Sequence, residues 1–163
     1  MQMARQLKPR LMFEQYFEAE TTIPAPREKV FPFFSDAANL ARITPASLGF
    51  QIHTPSPITM QEGTLIDYTI RLHGLPMRWR TRIAKWNPPH EFIDEQLKGP
   101  YRTWVHHHTF EETAAGHTLM RDKVRYALPL PPFGQIALPW VRAEVRGIFA
   151  FRQQVILEMF PAK

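Results

Sequence analysis

The feature that most constrains the fold of this sequence is a single long amphipathic segment near its C-terminus. Apolar residues recur at helical spacing from Trp140 to Phe160, which predicts one helix over Pro139–Phe160. A helix of that length extends about 33 Å, long enough to cross a whole β-sheet. Because no other large cover is available in the chain, the sheet formed by the remaining residues must bury its inner face against this helix.

Short runs rich in aromatic and β-branched residues occupy the chain between Gly49 and Tyr126, separated by proline and glycine. A further strand is predicted over Phe13–Ile23, where apolar or small residues alternate with glutamates. Short strands separated by turn residues in this way are typical of an antiparallel meander. The six strands it predicts are Phe50–Thr54, Thr64–Leu72, Met77–Trp86, Glu91–Leu97, Tyr101–Glu112 and His117–Leu128.

Two short helices are predicted between the first and second strands. The first begins at Pro26, since proline is favoured in a first helical turn, and directs Val30, Phe31, Phe33 and Phe34 inward. Pro32 removes a hydrogen bond from this helix. The second short helix is predicted over Ala37–Ile43.

Seven strands that share one long helix should curl around it, in an α+β arrangement that leaves a cavity. This organisation resembles the helix-grip fold of the START, Bet v 1 and polyketide cyclase superfamily from Phe13 onward. Several local motifs are similar to those of bacterial cyclase/dehydrase and coenzyme Q-binding START proteins. They are Pro24-Ala-Pro26-Arg-Glu-Lys-Val30-Phe31, Phe33-Phe34-Ser-Asp36, Asn39-Leu40, and Gly99-Pro-Tyr-Arg-Thr-Trp104 with His106, His108 and Phe110.

The resemblance implies a hydrophobic cavity for a lipid, a quinone or isoprenoid, or a polyketide-like molecule. We expect a single ligand-binding domain over residues 13–163, preceded by a leader over residues 1–12. The leader lacks the apolar stretch of a signal peptide, and no apolar run reaches the roughly 18 residues of a membrane span. A cytoplasmic location is the default expectation. The absence of cysteine excludes disulfides, thiolate metal sites and cysteine nucleophiles.

Polar residues fall on the predicted inner faces of three neighbouring strands. His106 and His108 share a face with Trp104 and Phe110, because alternate residues of a strand point to the same side. By the same argument Asp122 lies with Met120, Val124 and Tyr126, and Asp94 and Gln96 lie with Phe92. The terminal helix adds Arg152 on its apolar stripe.

This predicted cluster allows four interpretations. The first is a structural network in which Arg152 or a histidine pairs with Asp94 and Asp122, since buried charges are usually paired. The second, favoured for function, is the polar end of a ligand pocket with an apolar lining. The apolar residues assigned to that pocket are Phe17, Tyr68, Ile70, Trp79, Trp104, Met120 and Phe149; the polar ones are Asp94, Gln96, His106, His108, Asp122 and Arg152.

The remaining interpretations are chemical. His106 and His108 with Asp122 or Asp94 could form a two-histidine, one-carboxylate metal site, but His-x-His spacing alone is a weak signal, so no metal and no cofactor are expected. A histidine beside a carboxylate can also act in acid/base catalysis. That would make His106, His108 and Asp122 the catalytic candidates of a cyclase/dehydratase, although no cyclase catalytic set matches the chain residue by residue.

The formal charge of +5 raises nucleic acid or an acidic membrane as partners. The strand phases argue against nucleic acid, because two basic triplets fall on the convex face, where cross-strand glutamates can pair with them. These triplets are Arg78, Arg80, Arg82 and Arg121, Lys123, Arg125, beside Glu91, Glu95, Glu111, Glu14 and Glu18. The expected partner is therefore a hydrophobic small molecule.

The apolar, proline-rich loop Leu128–Gly134 joins the last strand to the terminal helix. A stiff connector is the default interpretation, since prolines limit the freedom of the chain. The alternative is a lid, or a lip that makes transient contact with a membrane.

Overall fold

The computed structural model of the chain describes residues 13–162; the expected leader over residues 1–12 lies outside this range. The strands are β1 (Glu14–Ile23), β2 (Gln51–Ile52), β3 (Leu65–Leu72), β4 (Leu75–Asn87), β5 (Glu91–Lys98), β6 (Thr103–Glu112) and β7 (Thr118–Ala127). The α-helices are α1 (Arg27–Phe34) and α2 (Leu138–Met159). Short 3₁₀ helices lie at Ala37–Ile43, Ala46–Leu48 and Phe133–Ala137.

The strands form one antiparallel sheet in the order β1-β7-β6-β5-β4-β3-β2. Strands β2 to β7 follow one another as the predicted meander, and β1 returns to pair with β7, with Ala19 opposite Asp122. The sheet curls around α2, whose buried stripe consists of Val145, Phe149, Arg152 and Ile156. The predicted α+β helix-grip fold is therefore confirmed.

Two predicted elements differ in form from the expectation. The segment Ala37–Ile43 is a 3₁₀ helix, begun by Asp36, whose side chain accepts a hydrogen bond from the Ala38 N–H at 2.9 Å. The strand expected over Phe50–Thr54 is reduced to β2. After β2 the Thr54 hydroxyl accepts a hydrogen bond from the Asp67 N–H at 2.7 Å, which replaces regular pairing just before Pro55.

The interior has two ends. At the closed end, α1 packs its buried residues Val30, Phe31 and Phe34 against Phe92, Phe110 and Met120 of the sheet and Ile156 of α2. At the open end, three connections meet around a groove: the β3–β4 turn, the β5–β6 turn and the segment from Leu128 to Ala137. The closed end is filled with side chains, whereas the open end leads into a cavity.

The convex face of the sheet carries the predicted cross-strand ion pairs. Arg82 pairs with Glu95, and Arg125 lies 2.7 Å from Glu14. Glu91 pairs with Lys85 at 2.5 Å. This lysine is not one of the three arginines beside which Glu91 was expected. Further pairs on this face are Arg80–Asp67, Arg121 with Glu20 and Glu111, and Lys123–Glu18.

Between residues 13 and 162, no helix combines the length and the apolar character that crossing a membrane requires.

Candidate functional site: a cavity with a histidine–aspartate–arginine cluster

A cavity of about 190 Å³ lies between the concave face of the sheet, the 3₁₀ helix Ala37–Ile43 and the middle of α2. Its wall is mostly apolar and aromatic. Nine of the predicted ligand-binding residues line it: Tyr68, Ile70, Trp79, Asp94, Trp104, His106, His108, Phe149 and Arg152.

Four predicted ligand-binding residues lie outside this lining. Phe17 packs behind Phe149, with ring centroids 4.7 Å apart, and Met120 belongs to the closed-end core. Gln96 is held by the β5–β6 turn, where its Nε2 donates to the Tyr101 carbonyl at 2.6 Å. Asp122 sits behind the two histidines, which it binds from the sheet side. A side chain on the concave face of the sheet therefore does not necessarily line the cavity.

Sequence reasoning missed much of the opposite wall. Leu40 and Ile43 line the cavity from the 3₁₀ helix, and Met60 reaches it from an irregular loop. Ile148 of α2 also takes part. The apolar spacing within Ala37–Ile43 was the available signal, whereas nothing local to Met60 indicated its position.

Strand register brings the polar residues together. In the β5–β6 ladder Asp94 is opposite His106, and in the β6–β7 ladder His108 is opposite Asp122. The two histidines follow each other on one face of β6, so their rings lie side by side with centroids 3.6 Å apart. We call Asp94, His106, His108, Asp122 and Arg152 the polar cluster.

Each carboxylate of the cluster contacts both histidines. Asp122 Oδ1 lies 2.8 Å from His106 Nε2 and 3.1 Å from His108 Nδ1. Asp94 Oδ2 lies 2.7 Å from His108 Nε2 and 3.8 Å from His106 Nδ1. The two imidazoles, inclined at 34° to each other, therefore connect a carboxylate that lines the cavity to one behind the histidines.

Arg152 supplies the cation of this cluster from α2. Its Nη2 lies 3.3 Å from Asp122 Oδ1 and 3.3 Å from His108 Nδ1. The guanidinium also lies over the rings of Phe34 and Phe149, with its Cζ 5.2 and 5.7 Å from their centroids. The structure thus contains the network anticipated as the first interpretation, and it exposes part of that network to the cavity.

The charge states follow from burial and pairing. Burial lowers the pKa of His106 to about 4, against the opposing effect of Asp122, so this imidazole is neutral near pH 7. Burial alone would raise the pKa of Asp122, but the charge of Arg152 and the histidine hydrogen bonds hold that pKa well below its usual range. Burial also opposes ionisation of Asp94, yet its hydrogen bond with His108 leaves the pKa lowered. Both carboxylates are ionised.

Two buried N–H donors in the cavity lining have no hydrogen-bond partner among the residues described, namely Trp79 Nε1 and Arg152 Nε. Burying such a donor without a partner is unfavourable. Burial also raises the pKa of the Tyr68 and Tyr101 phenols, so both remain neutral lining groups. The two unpartnered donors therefore belong to residues that line an otherwise largely apolar wall.

Asp94, His106 and His108 are also the residues able to hold a metal ion. Each offers one ligand atom, and these atoms lie within 4.8 Å of one another. Imidazole and carboxylate suit zinc or iron. Asp94 Oδ2 is already hydrogen-bonded to His108 Nε2 at 2.7 Å, so a metal bound through these two atoms would have to replace that contact.

A curled antiparallel sheet gripping a C-terminal helix around an internal cavity defines the helix-grip class of proteins. The chain belongs to the polyketide cyclase/dehydrase and lipid transport family, whose model matches residues 14–154. No curated protein sequence matches the chain.

Solved structures share the fold at low sequence identity. The Zhui aromatase/cyclase from Streptomyces sp. R1128 superposes with a TM-score of 0.73 at 15% identity, covering 90% of this chain and 93% of its own. TTHA0849 from Thermus thermophilus gives 0.68 at 17% identity, with 89% and 99% covered. A point mutant of Thalictrum flavum norcoclaurine synthase, in complex with a transition-state analogue, gives 0.65 at 14% identity, with 90% and 96% covered. At such identities the likeness shows the fold alone.

Proposed function

We propose that this protein binds a hydrophobic small molecule in its internal cavity, as a carrier or a sensor. The observation that carries the proposal is the cavity itself: an aromatic and aliphatic wall with its charged groups gathered in the polar cluster. Apolar pockets with a few convergent polar groups are typical of small-molecule sites. A lipid, a quinone or isoprenoid, or a polyketide-like molecule has the required chemistry.

The unpartnered donors indicate what the ligand should carry. Trp79 Nε1 and Arg152 Nε both need an acceptor, and a carbonyl or hydroxyl oxygen provides one. Tyr68, Trp104 and Phe149 then hold the apolar body. An apolar molecule with at least one oxygen acceptor is therefore the favoured ligand class.

Neither a metal nor a cofactor is part of this proposal. The histidines and carboxylates of the cluster already satisfy one another through hydrogen bonds. Dialysis against a chelator should leave ligand affinity unchanged. We likewise propose that the protein is cytoplasmic and that it does not bind nucleic acid.

The first experiment is mass spectrometry of gently purified protein, followed by a binding panel that contains a short-chain quinone, a fatty acid and a hydroxylated anthraquinone. Trp104→Ala should lose the bound molecule, since this ring is part of the wall. Trp79→Phe removes only the N–H, so affinity for an acceptor-bearing ligand should fall about tenfold, the value of one buried hydrogen bond.

The control is Tyr16→Phe, which removes one polar atom from a side chain exposed on β1. Its affinity should equal that of the unmodified protein. Failure of every member of the panel to bind would contradict the proposal.

A second candidate is acid/base catalysis of the cyclase/dehydratase type. One observation favours it: His106 lines the cavity as a neutral imidazole, with its Nε2 held by Asp122 at 2.8 Å. An oriented neutral histidine is suited to accept a proton from a bound substrate. His106→Ala and Asp122→Asn should then abolish turnover in folded protein, whereas variants that only unfold at lower denaturant would indicate a structural cluster.

A further inference from the structure

We propose that the open end of the protein docks on an anionic lipid bilayer. Large apolar side chains are exposed there, and we call them the apolar rim: Leu130 (76% exposed), Phe133 (74%), Ile136 (71%) and Trp140 (66%), with Leu75 (68%) on the β3–β4 turn. Scattered exposed apolar residues are common, but a group of this size marks an interaction site.

The backbone holds this rim outward. The Gly134 N–H donates to the Leu130 carbonyl at 2.9 Å, and a Cβ on Gly134 would lie 2.1 Å from the Pro129 carbonyl oxygen. Leu130 has a φ of +55°, in the left-handed region that leucine rarely adopts. Such conformations cluster at functional sites, because the surrounding structure must enforce them. The backbone conformation of this segment keeps these side chains exposed to solvent.

The charges around the apolar rim are mostly positive, which favours an anionic partner. Residues 71–78, 98–102 and 128–146, which border the groove, carry one carboxylate, Glu144, which is half-buried. Their exposed cations are Arg71, Arg78, Lys98, Arg102, Arg142 and Arg146. Basic residues beside apolar anchors bind the anionic headgroups of a bilayer while the anchors enter the interface. A second copy of this chain would bring the same cations together and be repelled, which disfavours dimerisation through the rim.

Tryptophan at the rim fits the same partner, because indole rings prefer the headgroup region. The rim also borders a groove of about 550 Å³ that shares Leu72, Tyr101 and Glu144 with the cavity lining. A molecule leaving the bilayer could enter the cavity by this route. That last step rests on the proposed ligand binding, whereas docking itself does not.

Vesicle co-sedimentation tests the proposal. At an ionic strength of about 0.15 M, the protein should bind vesicles that contain phosphatidylglycerol much better than pure phosphatidylcholine, and high salt should release it. Leu75→Ser combined with Ile136→Ser should lower the bound fraction at least about tenfold, since two interfacial anchors are lost. Neither residue lines the cavity or the groove.

The matched control is Leu65→Ser combined with Leu157→Ser, which removes exposed apolar side chains at the start of β3 and near the end of α2, away from the rim, and should leave vesicle binding unchanged. Ligand affinity measured without vesicles should be the same in both double variants, so failure of docking and failure of ligand binding are separate results. Absence of vesicle binding overturns the proposal, as does equal loss in the control. A rim-dependent dimer or acidic-protein complex that does not bind vesicles overturns it as well.

Discussion

The closed and open ends of the grip are built from the same sheet and the same helix, yet they differ in how completely side chains fill them. At the closed end aromatic rings fill the space: Phe31 lies 5.3 Å from Phe110 and 6.1 Å from Phe92 between ring centroids. At the open end the interior is hollow and apolar side chains face outward. The polar cluster lies between the two. The difference teaches that the packed core and the cavity are separated along the length of α2.

Removing an aromatic ring from the closed end should have the largest effect on stability. Phe110 is 1% exposed and contacts Phe31, Phe34 and Phe92. Phe110→Ala should lower the free energy of unfolding by about 3–5 kcal/mol, because it removes buried area and leaves a cavity. Denaturant titration measures this loss. The matched change at the open end, Phe133→Ala, should cost less than about 0.5 kcal/mol; equal losses would contradict the division.

Acidification should lower the free energy of unfolding through the polar cluster, which lies between the two ends. The unfolded chain protonates His106 below its ordinary pKa of 6.5, whereas the folded chain does so only near 4. Stability is therefore present above about pH 6.5 and is lost as the pH falls toward 4. Between pH 7 and pH 5 this amounts to about 2 kcal/mol. The lowered pKa values of Asp94 and Asp122 extend the loss to lower pH.

Denaturant midpoints at the two pH values measure this effect. His106→Gln should remove most of the pH dependence, while His73→Gln, at an exposed turn, should keep it. An unchanged slope in His106→Gln would show that another group is responsible.

Enlarging a side chain should also affect the two ends differently, because side chains fill the closed end, whereas the cavity has free space. Val30 is fully buried at the closed end, and Ala37 lines the cavity. Val30→Leu should destabilise by about 1 kcal/mol through overpacking. Ala37→Leu should direct its added volume into the cavity, so it should destabilise less than Val30→Leu and weaken ligand binding. Thermal unfolding and a binding titration on both variants test the pair, and the reverse order of stabilities would mean that the cavity is closed in solution.

The smallest effect is expected on the convex surface, which belongs to neither end. Lys123 and Glu18 lie 3.9 Å apart, and both are exposed. Lys123→Ala should change the free energy of unfolding by less than about 0.5 kcal/mol, because water screens such pairs. A larger loss in denaturant titration would mean that stability depends on the surface as well as on the filled interior.

Much of the fold was predictable because its signals are local. Alternation on β6 places His106 and His108 inward, and the apolar stripe of α2 places Arg152 beside them. Gln96 shares the same alternation, but its hydrogen bonds with the Tyr101 backbone depend on how the β5–β6 turn folds back. Met60 reaches the cavity from a loop without periodicity. Alternation predicts the face of a strand, whereas the depth of a residue behind that face depends on tertiary packing.

The pairing of β1 with β7 has a consequence for how the chain is made. Glu20 and Arg121, which pair across these strands, are separated by 101 positions in the sequence. During synthesis from the N-terminus, β1 emerges first and has no sheet neighbour until β7 leaves the ribosome. Contacts of such large separation slow folding and prolong the exposure of an unpaired edge. The helix α2 follows β7 in the chain and gives the curled sheet its interior, so a nascent chain acquires its cavity only after α2 has emerged.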